Sequence, residues 1–244
     1  ILRKLDKIGQ PYTVENDMCL RLPNGFKVEE HFRLNSEVVV QDLSSQRVAE
    51  LIDRVAPALR NMDSAGVWDC CAASGGKTLL AFDRMPGVNF TVTDIRNSIL
   101  QNLFQRFRQA GIYSYDGFVA DLSKSPPGET GDSYRKLPLQ QLIIADVPCS
   151  GSGTWSRTPE QLCFFSQSSV DDYSELQKKI ALNAIQKLAP GGYFLYITCS
   201  VFRAENEANV EFLQKNHGLN LLESRIITGY DRKADTMFAA LLQN

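Results

Sequence analysis

The chain has 244 residues, 43% of them apolar and 22% charged, with a formal net charge of −2. That size and composition supply a sizeable core and exclude wholesale disorder, while the balanced charge gives no bulk basic signal of a nucleic-acid partner. No apolar run is long enough to cross a bilayer, so no membrane partner is expected, and six cysteines without a CxxC pair beside only two histidines argue against structural zinc and for reduced thiols in a cytoplasm.

Residues 1–35 read as a small flanking segment punctuated by Pro11, Pro23 and Asn24-Gly25, and residues 36–244 as the main domain. The start, Ile1-Leu2-Arg3-Lys4, is not a signal peptide and has no initiator Met, which suggests missing upstream sequence. An amphipathic helix is expected over Gln46–Leu59. Gly66–Ala72 reads as a buried strand running into a glycine turn and a helix from Lys77 to about Arg84. A second strand is expected over Asn89–Asp94, a helix over Ser98–Ala110 closed by Gly111, and a third strand over Phe118–Asp121. The Pro- and Gly-rich stretch Ser123–Lys136 reads as a loop. Leu142–Asp146 has the continuous apolar character of a strand covered on both faces. A helix over Val170–Leu188 is expected to stop at Pro190-Gly191-Gly192, followed by the strand Tyr193–Thr198, a helix near Glu205–Lys215, and strands around Leu219–Ile226 and Met237–Leu241. Such alternation implies a mostly parallel, doubly wound α/β sheet that binds ligands beyond the carboxyl ends of its strands. Asp69, Cys71, Asp94, Asp121, Asp146 and Cys199 all fall at that edge.

Cys71-Ala72-Ala73-Ser74-Gly75-Gly76-Lys77-Thr78 joins small residues to a helix start, where backbone N–H groups can meet a carboxylate or phosphate. A phosphate-binding P-loop is the rival, but it requires Gly at the position of Cys71. Asp94 lies where an acidic side chain would accept hydrogen bonds from a ribose diol, a feature that NAD and S-adenosylmethionine share; the glycine pattern is not that of NAD enzymes. Asp121 could read an adenine amino group or simply cap a turn.

Asp146-Val147-Pro148-Cys149-Ser150-Gly151 and Thr198-Cys199-Ser200 place one cysteine past each of two strands that should be neighbours. Carbon 5 of a pyrimidine becomes nucleophilic only when something adds at carbon 6, and a thiolate does this well. Asp146 is the nearest acid to support charge at ring nitrogen 3, and Cys149 is placed to assist expulsion of the thiolate after transfer. These motifs contain no histidine, so a Ser-His-Asp hydrolase has nothing to build on.

With these motifs the chain resembles the Sun/Fmu (RsmB-type) family of RNA cytosine-5 methyltransferases. The Cys71–Thr78 loop, the Asp146–Gly151 stretch and Thr198-Cys199-Ser200-Val201-Phe202 with Glu205-Asn206-Glu207 carry the resemblance; Gln41-Asp42, Ser45-Gln46, Arg157, Pro159-Glu160 and Asp235–Phe238 also fit. Ser74 stands where the family usually has Pro, and Val147 where it has Ala. The resemblance implies a Rossmann-like class I methyltransferase fold with a mostly parallel seven-stranded sheet and helices on both faces. It also implies S-adenosyl-L-methionine held by Cys71, Ala72, Ala73, Ser74, Gly75, Gly76, Lys77, Asp94, Asp121 and Asp146, with Cys199 as nucleophile and Cys149 aiding release. Ribosomal RNA is the first expected substrate and transfer RNA the second, with a monomer favoured. DNA enzymes of similar chemistry attack with the Pro-Cys cysteine, here Cys149, and possession of both cysteines favours RNA. The alternative from another class is a non-catalytic RNA-binding or ribosome-assembly factor that kept the fold.

Overall fold

The computed structural model describes residues 1–124 and 131–244. The flanking segment is more ordered than its turn residues alone suggest. It forms helix α1 (Leu2–Lys7) and an antiparallel pair, β1 (Thr13–Asn16) and β2 (Cys19–Arg21). Leu5, Cys19 and Phe32 are buried, and the segment is tied to the rest by Asn35 with Gln109 and by Glu15 with Arg232.

The remaining strands form one seven-stranded sheet: β3 (Gly66–Asp69), β4 (Asn89–Asp94), β5 (Asp116–Val119), β6 (Gln140–Asp146), β7 (Leu188–Thr198), β8 (Asn220–Ile227) and β9 (Met237–Gln243). Their spatial order is β5-β4-β3-β6-β7-β9-β8, parallel from β5 through β7, with β9 antiparallel to both neighbours. The chain reverses direction of travel between β3 and β6, the crevice at which open α/β sheets bind ligands.

Alternate strand residues point to opposite faces, and both faces are apolar, as expected of strands covered on two sides. On one face Val67, Leu142, Ile144, Leu195 and Ile197 meet α3 (Ala49–Arg60) and α4 (Gly76–Arg84), and Val92 meets α5 (Asn97–Ala110) through Leu100, Leu103 and Phe107. On the other, Trp68, Ile143, Ala145, Phe194 and Tyr196 pack against α7 (Gln167–Ile185) and α8 (Glu207–His217). Each fully buried Leu, Ile or Phe contributes about 1.5–3 kcal/mol, so these two layers dominate the stability that holds the strand tips in place.

Several expected boundaries moved. The helix expected from Gln46 begins earlier, because Asp42 accepts from the N–H groups of Ser44 and Ser45 and caps a short helix α2 (Leu43–Arg47) ahead of α3. Of the expected loop Ser123–Lys136, residues 125–130 lie outside the described residues, and Gly131–Lys136 is instead helix α6. Tyr134 explains it: its ring is buried beside Trp68 and its hydroxyl donates to the Asn183 carbonyl, so tertiary packing overrides the turn composition. Strand β5 sits two residues earlier than expected, leaving Asp121 just past its tip. Helix α7 stops at Ile185, and Pro190-Gly191-Gly192 lies inside β7 as an irregularity between the pairs Gln140↔Leu188 and Leu142↔Tyr193, with Gly191 at φ 70°. The last helix starts at Glu207, which leaves Glu205 in a buried turn.

Candidate active site

The loop after β3 is shaped for close approach of a ligand to backbone. Ala73 and Gly75 hold left-handed φ angles of 46° and 85°, and a Cβ at Gly75 would come to 3.0 Å from Leu103 Cγ. This bend points the N-terminus of α4, with its outward N–H groups, along the strand edge. Asp94, buried at the tip of β4, accepts from the Ala73 N–H at 3.0 Å, so the acid and the loop share one geometry. Its remaining capacity is taken by Arg96, through the backbone N–H (2.9 Å), Nε (3.0 Å) and Nη2 (3.3 Å). A ribose diol on Asp94 would have to displace that guanidinium, which is largely exposed. Asp121 accepts from the N–H and hydroxyl of Ser123 and pairs with Lys124. Burial alone would raise its carboxyl, but those partners outweigh it and hold it below the usual range. Asp121 thus caps its own turn in this structure, and the loop, Asp94 and Asp121 lie along one edge.

Lys77 turns away from its loop. Its ammonium, almost wholly buried, lies 3.0 Å from Asp146 Oδ2 and donates to Ser45 Oγ at 2.6 Å. One residue of the expected cofactor loop thus reaches the second half of the site. Behind it, Asp69 is fully buried. Thr78 donates to its Oδ2 at 2.7 Å, while its Oδ1 has no hydrogen-bond partner among the described residues. Burial pushes its carboxyl up to about 7, with the charge of nearby Asp146 adding to the shift and Thr78 opposing it.

The two cysteines come together. Strands β6 and β7 are parallel neighbours in register, Asp146 opposite Ile197, so the residues past their tips converge and the Sγ atoms of Cys149 and Cys199 lie 3.2 Å apart. Shared between them is one proton position. The hydrogen bond from Cys149 lowers the Cys199 thiol, burial and Asp146 oppose this, and Lys77 assists; Cys149 is raised well above a free thiol by the same bond, by burial, and by the negative charges around it. Of the two thiols, Cys199 is the one shifted toward the thiolate and Cys149 the one shifted away from it. Cys70, expected nowhere in the chemistry, is buried with its thiol pushed up, and Cys163 is exposed on the surface.

Three elements close the rim. Gly153 sits where a Cβ would lie 1.9 Å from the Thr236 carbonyl; its N–H donates to the Cys199 carbonyl and its carbonyl accepts from the Thr236 N–H. Only glycine permits that approach. Arg157 forms a two-pronged ion pair with Asp235 (3.2 and 2.6 Å), and the Asp235 N–H donates to Asp42. Ser45, Glu205 and Asp235 fall within stretches that carry the family resemblance but have no individual role from the sequence, and Gln177 is not singled out there at all. Burial marks Gln177, Glu205 and Asp235, and a sequence does not display burial.

Among the described residues no group of three or more His, Cys, Asp or Glu could hold a metal, and no helix is long and apolar enough to cross a membrane.

Comparison with known proteins is consistent with this geometry. Residues 56–241 match the model of the family described as 16S rRNA methyltransferase RsmB/F. The chain is 32% identical over 180 residues, 73% of its length, to ribosomal RNA small subunit methyltransferase B of Xanthomonas campestris. It is also 32% identical over 184 residues to the tRNA (cytosine(72)-C(5))-methyltransferase NSUN6 of Mus musculus, covering 72% of the chain. It spans only 38% and 36% of the lengths of those two relatives. In fold it is similar to a methyltransferase homolog protein from Pyrococcus horikoshii (TM-score 0.76, 19% identity, 100% of this chain and 81% of that one). A second neighbour is NSun6 from Pyrococcus horikoshii with SFG (TM-score 0.71, 20% identity, 92% and 57%). The sheet is thus the Rossmann-like sheet of methyltransferases.

Proposed function

Because the chain belongs to the 16S rRNA methyltransferase RsmB/F family, we propose that it carries the catalytic domain of an S-adenosylmethionine-dependent enzyme that forms 5-methylcytosine in RNA. The observation that carries the reading is the Cys149–Cys199 contact of 3.2 Å at the tips of β6 and β7, beside the Lys77–Asp146 pair.

The donor set fits the cofactor. The positive-φ loop Cys71–Gly75, the N-terminus of α4 and the Asp94 carboxylate at its edge offer what an amino-acid carboxylate and a ribose diol require. Bound there, S-adenosylmethionine supplies an electrophilic methyl group. Cys199, favoured as thiolate by Cys149 and Lys77, adds to carbon 6 of the cytosine, and the electron pair of the broken ring double bond becomes available at carbon 5. Asp146, placed by its contact with Lys77, is the acidic group assigned to nitrogen 3, and it would have to carry a proton there to support the developing charge. After carbon 5 is methylated, its proton leaves to a base, the double bond re-forms, and the thiolate of Cys199 is expelled. Cys149, its thiol raised and 3.2 Å away, keeps its proton and steadies the departing thiolate by hydrogen-bonding to it. The cytosine must be turned out of any stack to reach this cleft.

Ribosomal RNA is the substrate class favoured by the family description, with transfer RNA second. Residues 36–244 form the catalytic domain in this reading, residues 1–35 flank it, and a cytoplasmic monomer is its simplest form. The test is methyl transfer to bulk RNA by the wild type, Cys199→Ala and Cys149→Ala. Loss of both turnover and adduct in Cys199→Ala, with a covalent RNA adduct accumulating in Cys149→Ala, is expected. The reverse pattern would make Cys149 the attacking residue and overturn the assignment.

A further inference from the structure

Glu205 is fully buried, yet no step of the chemistry above uses it. A carboxylate in such a place costs several kcal/mol unless donors replace its water. Four do. Oε1 accepts from the Ser150 N–H (2.8 Å) and Gln177 Nε2 (3.0 Å), and Oε2 accepts from the hydroxyls of Ser150 (2.6 Å) and Ser200 (2.5 Å).

The origin of those donors matters more than their number. Ser150 follows Cys149 and Ser200 follows Cys199, so one carboxylate holds the residue after each cysteine. The residues before them are held as well. Gln177 Nε2 also donates to the Pro148 carbonyl at 2.9 Å. Asn206, adjacent to Glu205, accepts from the Thr198 hydroxyl and donates to the Ser200 carbonyl at 2.9 Å. Tyr196 donates to the Glu205 carbonyl at 2.6 Å and fixes the turn itself. Each cysteine is therefore one residue between two pinned neighbours, and both sets of pins meet at residues 205–206.

We infer that Glu205 is a positioning residue, which sets the separation of the Cys149 and Cys199 thiols by clamping the two loops that carry them. Its effect on rate rests on the methylation reading; its effect on thiol spacing does not. Ionised Glu205 has no hydrogen to give, so both serine hydroxyls must point at it, leaving Ser200 Oγ free to accept from the Phe202 N–H at 3.1 Å. Glutamine has nearly the same shape but turns one acceptor into a donor. It would reverse the two hydroxyl bonds and set the Ser200 proton against the Phe202 N–H.

The full chain and its Glu205→Gln variant are treated with dibromobimane, which bridges two nearby thiols with loss of two bromide ions, and bridged peptides are mapped by mass spectrometry. Wild type is expected to bridge Cys149 to Cys199. In Glu205→Gln that bridging falls about tenfold or more, while single alkylation of exposed Cys163 is unchanged and the near-UV circular dichroism is retained. In parallel, kcat falls by about tenfold or more, with KM for RNA and for cofactor within about twofold of wild type. Bridging and kcat at wild-type levels in folded Glu205→Gln would overturn the inference. Should that variant not fold, Ser150→Ala, which keeps the carboxylate and removes one donor, decides by the same bridging assay: a reduced rate supports the clamp, and an unchanged rate overturns it. Glu205-dependent bridging in a wild type that methylates no RNA would support the clamp and sink the methylation reading instead.

Discussion

The two halves of the strand edge satisfy their polar groups in opposite ways. At the tips of β4 and β5 the side-chain partners of the acids are neighbours in sequence, Arg96 for Asp94 and Ser123 and Lys124 for Asp121, although Asp94 also accepts from the distant Ala73 N–H. At the tips of β6 and β7 the partners come from far along the chain. Glu205 reaches Ser150, Gln177 reaches Pro148, and Cys149 meets Cys199. Local, exposed partners exchange readily with a ligand, which suits the proposed cofactor pocket. Remote, buried partners are fixed by the whole fold, which suits the proposed pair of thiols held at a set distance. Lys77 joins the halves, since its backbone begins α4 on one side and its ammonium pairs with Asp146 on the other.

That contrast can be broken at its joint first. Lys77→Met removes the cation that favours the Cys199 thiolate and leaves Asp146 facing that sulfur unpaired. We expect kcat to fall by about 100-fold and the rise of Cys199 alkylation with pH to move to higher pH. An unshifted alkylation profile would place Lys77 with the exchangeable half. Next in size is Asp69, the buried acid behind the joint. Its folded value of about 7 lies above the ordinary 3.8, so the native state keeps a proton that the unfolded chain has released. The stabilisation is complete below about pH 4 and is lost as pH rises through 7, a change of about 2–4 kcal/mol. Asp69→Asn should be the more stable protein at pH 8 and show little advantage at pH 4, as read by urea denaturation at both values. The smallest effect is expected in the exchangeable half. Arg96→Ala removes a largely exposed guanidinium that competes for Asp94, and should tighten cofactor binding by no more than a few-fold, about 1 kcal/mol or less. Calorimetry showing weaker binding would mean that Arg96 contacts the cofactor rather than standing in for it.

The chain order of strands and helices, the glycine bend before α4 and the acids and cysteines at the strand tips follow from the sequence alone. Each depends on periodicity, φ requirements or residues a few positions apart, and those are properties of a short segment. The same locality misled where packing won: the Gly- and Pro-bearing stretch before Leu137 contains helix α6 because Tyr134 has a buried place beside Trp68, and Pro190-Gly191-Gly192 is absorbed into β7 by pairing with β6. Only the tertiary structure decided that Lys77 pairs with Asp146, that Asp121 accepts from its own turn, and that Glu205 lies inside the protein between two loops. Those facts depend on which groups lose water together on folding, and desolvation is set by neighbours tens of residues away.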